Sequence, residues 1–125
     1  SKAYHVTIVV AESTAGRVPD FAFLEIDLLR VTGKTEPVRI YTLLGGAGVR
    51  RSTAFERLET EHVAFIEDYR AQRWSEASSR LAACRELGRP FDLEGLYDVY
   101  EERLSGFAVE PPPPDWGGVH VALSK

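Results

Sequence analysis

Phe21-Ala22-Phe23-Leu24-Glu25-Ile26-Asp27-Leu28-Leu29-Arg30-Val31-Thr32-Gly33-Lys34-Thr35-Glu36-Pro37-Val38-Arg39-Ile40-Tyr41 is the stretch on which the fold turns. Leu24, Ile26 and Leu28 alternate with Glu25 and Asp27, the period-two pattern of a half-exposed strand with the two carboxylates on its polar side. Leu29 and Val31 continue in the opposite phase, which predicts a bulge or a second burial environment near Leu28 and Leu29. Thr32 to Pro37 carries turn residues, and Val38 to Leu44 resumes the alternation, so residues 21–44 read as an antiparallel hairpin. Apolar hairpin edges recruit further strands, so self-association through this ribbon is expected.

Outward from the hairpin, the β-branched run Val6 to Val10 predicts a short strand buried on both faces, and Glu12 to Arg17 a helical turn or two. On the other side, Gly45-Gly46-Ala47-Gly48 reads as a flexible joint, because three glycines in four residues oppose backbone order. Beyond it the period becomes helical. Thr53 and Glu56 have capping-box spacing, and Phe55, Leu58, His62, Phe65 or Ile66, and Tyr69 share one face of a helix of about five turns. A second helix is expected from a Ser75 cap, burying Ala77, Leu81, Cys84 and Leu87 up to Gly88. A third runs from an Asp92 cap through Leu93, Leu96, Tyr100 and Leu104 to Gly106. Pro111 to Pro114 is a polyproline stiffener, and Trp116 to Leu123 an apolar tail able to dock through its indole and to add a strand with Val119, Val121 and Leu123. The expected organisation is α+β: residues 1–45 as strand, short helix and hairpin, 46–51 as the glycine joint, 52–107 as a helical lobe and 108–125 as a docked tail.

With 125 residues the chain suits one core, with room for two small lobes. A formal net charge of −4 opposes a nucleic-acid partner, since phosphate neutralisation needs clustered Lys and Arg and Arg50-Arg51 is only a dipeptide. No apolar run approaches the ~18 to 20 residues of a membrane span, so no membrane contact is expected of this segment. Cys84 is the single cysteine and has no partner for an internal disulfide, which fits a reducing, cytoplasmic setting. The chain has no methionine and starts Ser1-Lys2-Ala3, as expected of a segment cut from a longer product.

Self-contained chemistry is hard to find. Gly33-Lys34-Thr35 invites a phosphate-loop reading, but that loop needs a glycine five residues earlier, where Leu28 stands. His5, His62 and His120 lack metal-ligand spacing, and no metal is expected in this chain. His62 and Cys84 fall on apolar helix faces and read as core residues, while Glu59, Glu61, Asp98, Glu101 and Glu102 read as solvated helix surface. No catalytic residue is assigned.

The ribbon from Phe21 to Tyr41 nevertheless resembles the closing hairpin of class III adenylate and guanylate cyclases, whose pattern carries a leucine, then valine-lysine-glycine-lysine, then proline-valine and a tyrosine. Tyr4 to Thr14 is similar to the stretch preceding that hairpin in the family. Pro111 to Lys125 and the helical residues Tyr69, Trp74 and Ala77 resemble the carboxy-terminal extension of bacterial members with a CHASE2-type sensor and upstream membrane helices. The resemblance implies the end of a ferredoxin-like cyclase domain, with a parent enzyme making cyclic nucleotide and pyrophosphate from ATP, or secondarily GTP, in the cytoplasm, and anchored in the inner membrane. It implies Mg²⁺ or Mn²⁺ held by two aspartates upstream of Ser1, and as partners the rest of the cyclase domain and a second protomer. This chain alone would then be inactive. The family's triphosphate-contacting lysine corresponds to Thr32 here, which leaves Lys34, or Arg30, as the nucleotide-contacting substitute. The helical lobe also resembles half of a tetratricopeptide unit. The alternative is an independent helical interaction or dimerisation module.

Overall fold

The computed structural model describes residues 1–122. In chain order they form β1 (Val9–Ala11), α1 (Glu12–Ala15), β2 (Ala22–Val31), β3 (Val38–Gly45), α2 (Ala47–Arg50), α3 (Thr53–Arg70), α4 (Trp74–Gly88), a 3₁₀ turn at Arg89–Phe91, α5 (Glu94–Val109) and β4 (Val119–Ala122). The class is α+β with one mixed sheet in the order β1-β3-β2-β4. β2 and β3 are the antiparallel pair expected of residues 21–44, and the turn between them places Gly33 at φ 92°, a conformation glycine adopts without steric cost.

The hairpin lies inside the sheet. β1 pairs with Ile40–Thr42 on the outer side of β3, and β4 runs parallel along the Leu28–Val31 half of β2, so those parts of the ribbon's edges are already paired. The strand expected over residues 6–10 is shorter and shifted, and it is an edge strand: Ile8 and Val9 are exposed, where burial on both faces was expected. A β-branched run cannot by itself distinguish a central strand from an edge one; sheet order decides that. The break in alternation also sits elsewhere. The pairing register slips between Glu25 and Asp27, so Ile26 is the extra residue and both Ile26 and Asp27 are buried. Asp27 therefore lies in the core and not on the polar side.

Residues 47–50 of the expected glycine joint form the helical turn α2. The cap of α3 is Ser52, one residue before the Thr53 reading: its Oγ accepts from the Phe55 N–H at 3.2 Å and donates to the Val49 carbonyl at 2.6 Å. α4 starts at Trp74 without a side-chain cap, and Asp92 takes a left-handed conformation (φ 56°) before α5, which continues past Gly106 to Val109. The helical faces are those expected, with Phe55, Leu58, Phe65 and Tyr69 of α3, Ala77, Leu81 and Cys84 of α4, and Leu96 and Tyr100 of α5 buried. One continuous core joins all of these but Phe55 to Leu24, Ile26 and Ile40 of the sheet and to Tyr4. Tyr4 reaches that core because the N-terminal turn lies close on α5 at Gly95, where any Cβ would collide with His5. Of the tail, Trp116 docks among Tyr69, Trp74 and Phe107, and Val119 and Val121 lie in β4; Leu123 lies outside the described residues.

Ser52→Ala should cost about 1 kcal/mol in urea unfolding, the typical value of a helix cap, whereas Thr53→Ala should be close to neutral. Equal losses at the two positions would contradict the cap placement.

Candidate functional site

The slip at Ile26 turns the Asp27 carboxylate inward, and three donors meet it there. Oδ2 accepts from the Tyr4 hydroxyl at 2.7 Å and from Arg103 Nη2 at 2.9 Å, and Oδ1 accepts from the Leu28 N–H at 2.9 Å. Asp27 is 1% exposed and the Arg103 side chain 13%. The Arg103 guanidinium also lies over the Tyr100 ring, 5.3 Å from its centroid, and Tyr100 donates to the Ile26 carbonyl at 2.6 Å. Burial, and then the hydrogen bond to Asp27, raise the Tyr4 hydroxyl pKa, so it remains a donor. Arg103 Nη1 is buried without a partner.

Beside this cluster runs a groove of about 730 Å³ between the N-terminal turn, the sheet and α5, walled by Val9, Leu29, Ile40 and Val99 with His5, Glu102, Arg103 and His120 at its margins. Two histidines far apart in sequence are thus brought to one place. A second cleft of about 470 Å³ lies between the hairpin and α3. There Glu25 Oε2 accepts from Arg70 at 2.7 Å and from Arg39 at 3.0 Å, with Phe23, Tyr41 and Val63 nearby.

His62 forms the inner wall of that cleft as a structural group. Its Nε2–H donates to the Glu25 carbonyl at 2.6 Å, since a carbonyl only accepts, and its Nδ1 accepts from the Tyr97 hydroxyl at 2.8 Å. Burial pulls its pKa down to about 4, so the imidazole is neutral at physiological pH. Burial likewise pushes the Cys84 thiol up to about 12, which keeps it protonated and unreactive.

Lys34 stands apart from both cavities, in the β2–β3 turn. Its N–H donates to the Val31 carbonyl at 2.9 Å, and its carbonyl accepts from Arg30 Nη1 at 3.1 Å. Of the acidic residues read as helix surface, Glu61 pairs with Arg80, Asp98 and Glu101 with Arg85, Glu59 lines the cleft and Glu102 the groove. Sequence reasoning missed Asp27 and Arg103. A carboxylate amid leucines and isoleucines was a signal, but strict alternation placed it on the wet face.

The buried carboxylates Asp27 and Asp68 and the half-buried Glu25 are already committed to arginines, and among the described residues no three His, Cys, Asp or Glu side chains converge to hold an ion. The residues present therefore do not fit the two-aspartate metal site of the cyclases, and no catalytic step is derived through one. Among the same residues no helix is long and apolar enough to cross a membrane.

Asp27→Asn should lower stability by about 3–5 kcal/mol, because it leaves Arg103 buried without a counter-charge, whereas Asp27→Leu combined with Arg103→Met should recover most of the loss. Single variants within about 1 kcal/mol of the parent in urea unfolding would refute the buried pair. His62 sets a pH dependence of definite sign. Its folded pKa lies below the ordinary 6.5, so its contribution is complete above that value and is lost as pH falls toward 4, on the order of 3 kcal/mol. The difference between parent and His62→Gln in urea unfolding should shrink over that interval, and a flat difference would exclude it. Compared with protein-family models, with curated proteins and with solved structures, the chain matches none of them.

Proposed function

We propose that this chain is the closing segment of a class III nucleotide cyclase catalytic domain, adenylate cyclase in the first instance and guanylate cyclase in the second, with a helical lobe and docked tail appended. The observation that supports this best is the ribbon itself. β2 and β3 pair antiparallel around a turn whose Gly33 requires positive φ, with Lys34 directly after it and Pro37-Val38 opening β3. These are the places at which the cyclase pattern carries its glycine-lysine and proline-valine.

In this reading the sheet is the end of a ferredoxin-like domain and the helical lobe half of a tetratricopeptide unit. The chain supplies scaffold. Mg²⁺ or Mn²⁺, ATP and the groups that stabilise the pentavalent phosphorus belong to the rest of the domain and to a second protomer, in a parent held at the inner membrane with its catalytic part in the cytoplasm. Lys34, or Arg30 beside it, is the cation that would meet the triphosphate in this reading, since Thr32 replaces the usual lysine and donates its hydroxyl to the Ala122 carbonyl at 3.0 Å.

A second reading, an independent helical interaction module, is favoured by one observation: a single core unites sheet and helices, and β4 closes the far side of β2. Reading the coding sequence upstream of the Ser1 codon, and assaying the enlarged product with ATP and Mg²⁺ or Mn²⁺, separates the two. An in-frame cyclase core that yields cyclic AMP, against no product from the 125-residue chain alone, is the expected result. A start codon immediately before Ser1, or turnover by the chain alone, removes the scaffold reading.

A further inference from the structure

The cleft between the hairpin and α3 carries charges that the fold itself does not balance. Glu25 Oε2 accepts from Arg70 at 2.7 Å and from Arg39 at 3.0 Å, so two guanidiniums share one carboxylate oxygen and one positive charge is left over. His62 adds none, because burial keeps its ring neutral. The Arg70 and Glu25 side chains are only 17% and 19% exposed, so water screens this excess less than it would on an open surface. Each guanidinium gives Glu25 one nitrogen and keeps further N–H donors. Arg70 is also held in place. Its stem lies so close to Gly118 that a Cβ there would overlap Arg70 Cγ, and its Nε is buried without a partner.

Negative charge stands beside it unspent. Glu67 precedes Arg70 by three residues on α3, a spacing at which two side chains are neighbours on the helix surface. Arg70 nevertheless turns to Glu25, and among the described residues Glu67 has no ion pair. Glu59 lines the same cleft about 12 Å back along the helix from Glu67, and it too is unpaired among the described residues. The remaining walls are apolar, with Phe23 and Tyr41 of the hairpin opposite Val63, which is 50% exposed. The space measures about 470 Å³, within the ~300–1,000 Å³ usual for sites that take a small molecule.

Arg39 and Arg70 against Glu25, Glu59 and Glu67 leave the cleft a net charge of −1, so a simple anion meets repulsion as well as attraction. A simple cation is opposed by the guanidiniums. A dipolar molecule meets neither objection when its two charges are as close together as Arg70 and Glu67. The carboxylate and ammonium of an α-amino acid, joined through a single carbon, are so arranged.

We propose that this cleft binds a free α-amino acid with an apolar side chain, its carboxylate on the guanidiniums of Arg39 and Arg70, its ammonium on Glu67, and its side chain against Phe23, Tyr41 and Val63. Glu25 then acts as a positioning residue that keeps the two guanidiniums side by side, and Glu59 at the other end turns away acidic side chains.

Calorimetric titration of the 125-residue chain with L-phenylalanine should give a Kd of about 1 mM or tighter. Hydrocinnamate, which lacks the ammonium, and phenethylamine, which lacks the carboxylate, should each bind about tenfold more weakly. Inorganic phosphate and L-aspartate should not compete. Glu67→Gln should weaken L-phenylalanine about tenfold and leave hydrocinnamate at least as tight, whereas Arg39→Gln should weaken both by about that factor. Both side chains are exposed, so the circular dichroism of either variant should match the parent's. At saturation the NMR signals of the Val63 methyls and the Tyr41 ring should shift. No binding of L-phenylalanine up to about 10 mM overturns the site. Equal affinity for the three aromatic ligands, or Glu67→Gln without effect on L-phenylalanine, overturns recognition of the dipole, and shifts confined to Val99 and His120 place the ligand in the other groove and overturn the assignment to this cleft.

Discussion

The carboxylate of Asp27 is 1% exposed, and a charge so placed has to be answered by its surroundings. The strand itself supplies part of the answer through the Leu28 N–H, and two segments remote in sequence supply the rest: the N-terminal turn through Tyr4 and α5 through Arg103. Without that convergence the N-terminal turn would have only its seat on Gly95, and α5 would lose its charged anchor to the sheet. A buried pair of this kind specifies a register more than it adds stability, because a shift of one residue in β2 would leave both ions buried without partners.

The same logic distributes the remaining buried polar groups. His62 spans α3, α5 and β2 by accepting from Tyr97 and donating to the Glu25 carbonyl, and Tyr100 closes the neighbouring carbonyl of Ile26. The bulge in β2 creates the need for these contacts, since backbone groups released from regular pairing must be satisfied elsewhere. Bulge, buried acid and carbonyl-capping side chains are thus one arrangement. It leaves one cleft beside Glu25 and one groove beside Arg103, and in each that side chain is already paired with an opposite charge.

Much of the architecture was legible in the residues. The helical faces from Phe55 to Tyr69 and from Ala77 to Cys84 came from a 3.6-residue period that survives any tertiary setting, and the hairpin came from alternation around a glycine that needs positive φ. The core histidine was legible because a lone imidazole on an apolar face is usually a hydrogen-bonded core residue. Caps were less legible, as Ser52 and Thr53 are equally good caps and only the path of the preceding turn chooses between them. The cluster at Asp27 and Arg103 was not legible, because the two residues are 76 positions apart and join only through a bulge that alternation placed two residues too late.

What the sequence determined by itself, then, is local: which segments alternate with period two, which with period 3.6, and where glycine and proline interrupt them. Those properties depend on neighbours along the chain. Tertiary structure alone decided which strands lie at the edge, that Asp27 faces inward, that the glycine joint winds into α2, and that β4 returns to cover β2. Each is a competition between surfaces for the same hydrogen-bonding groups or the same apolar face, and such a competition is settled only when all the competitors are present at once.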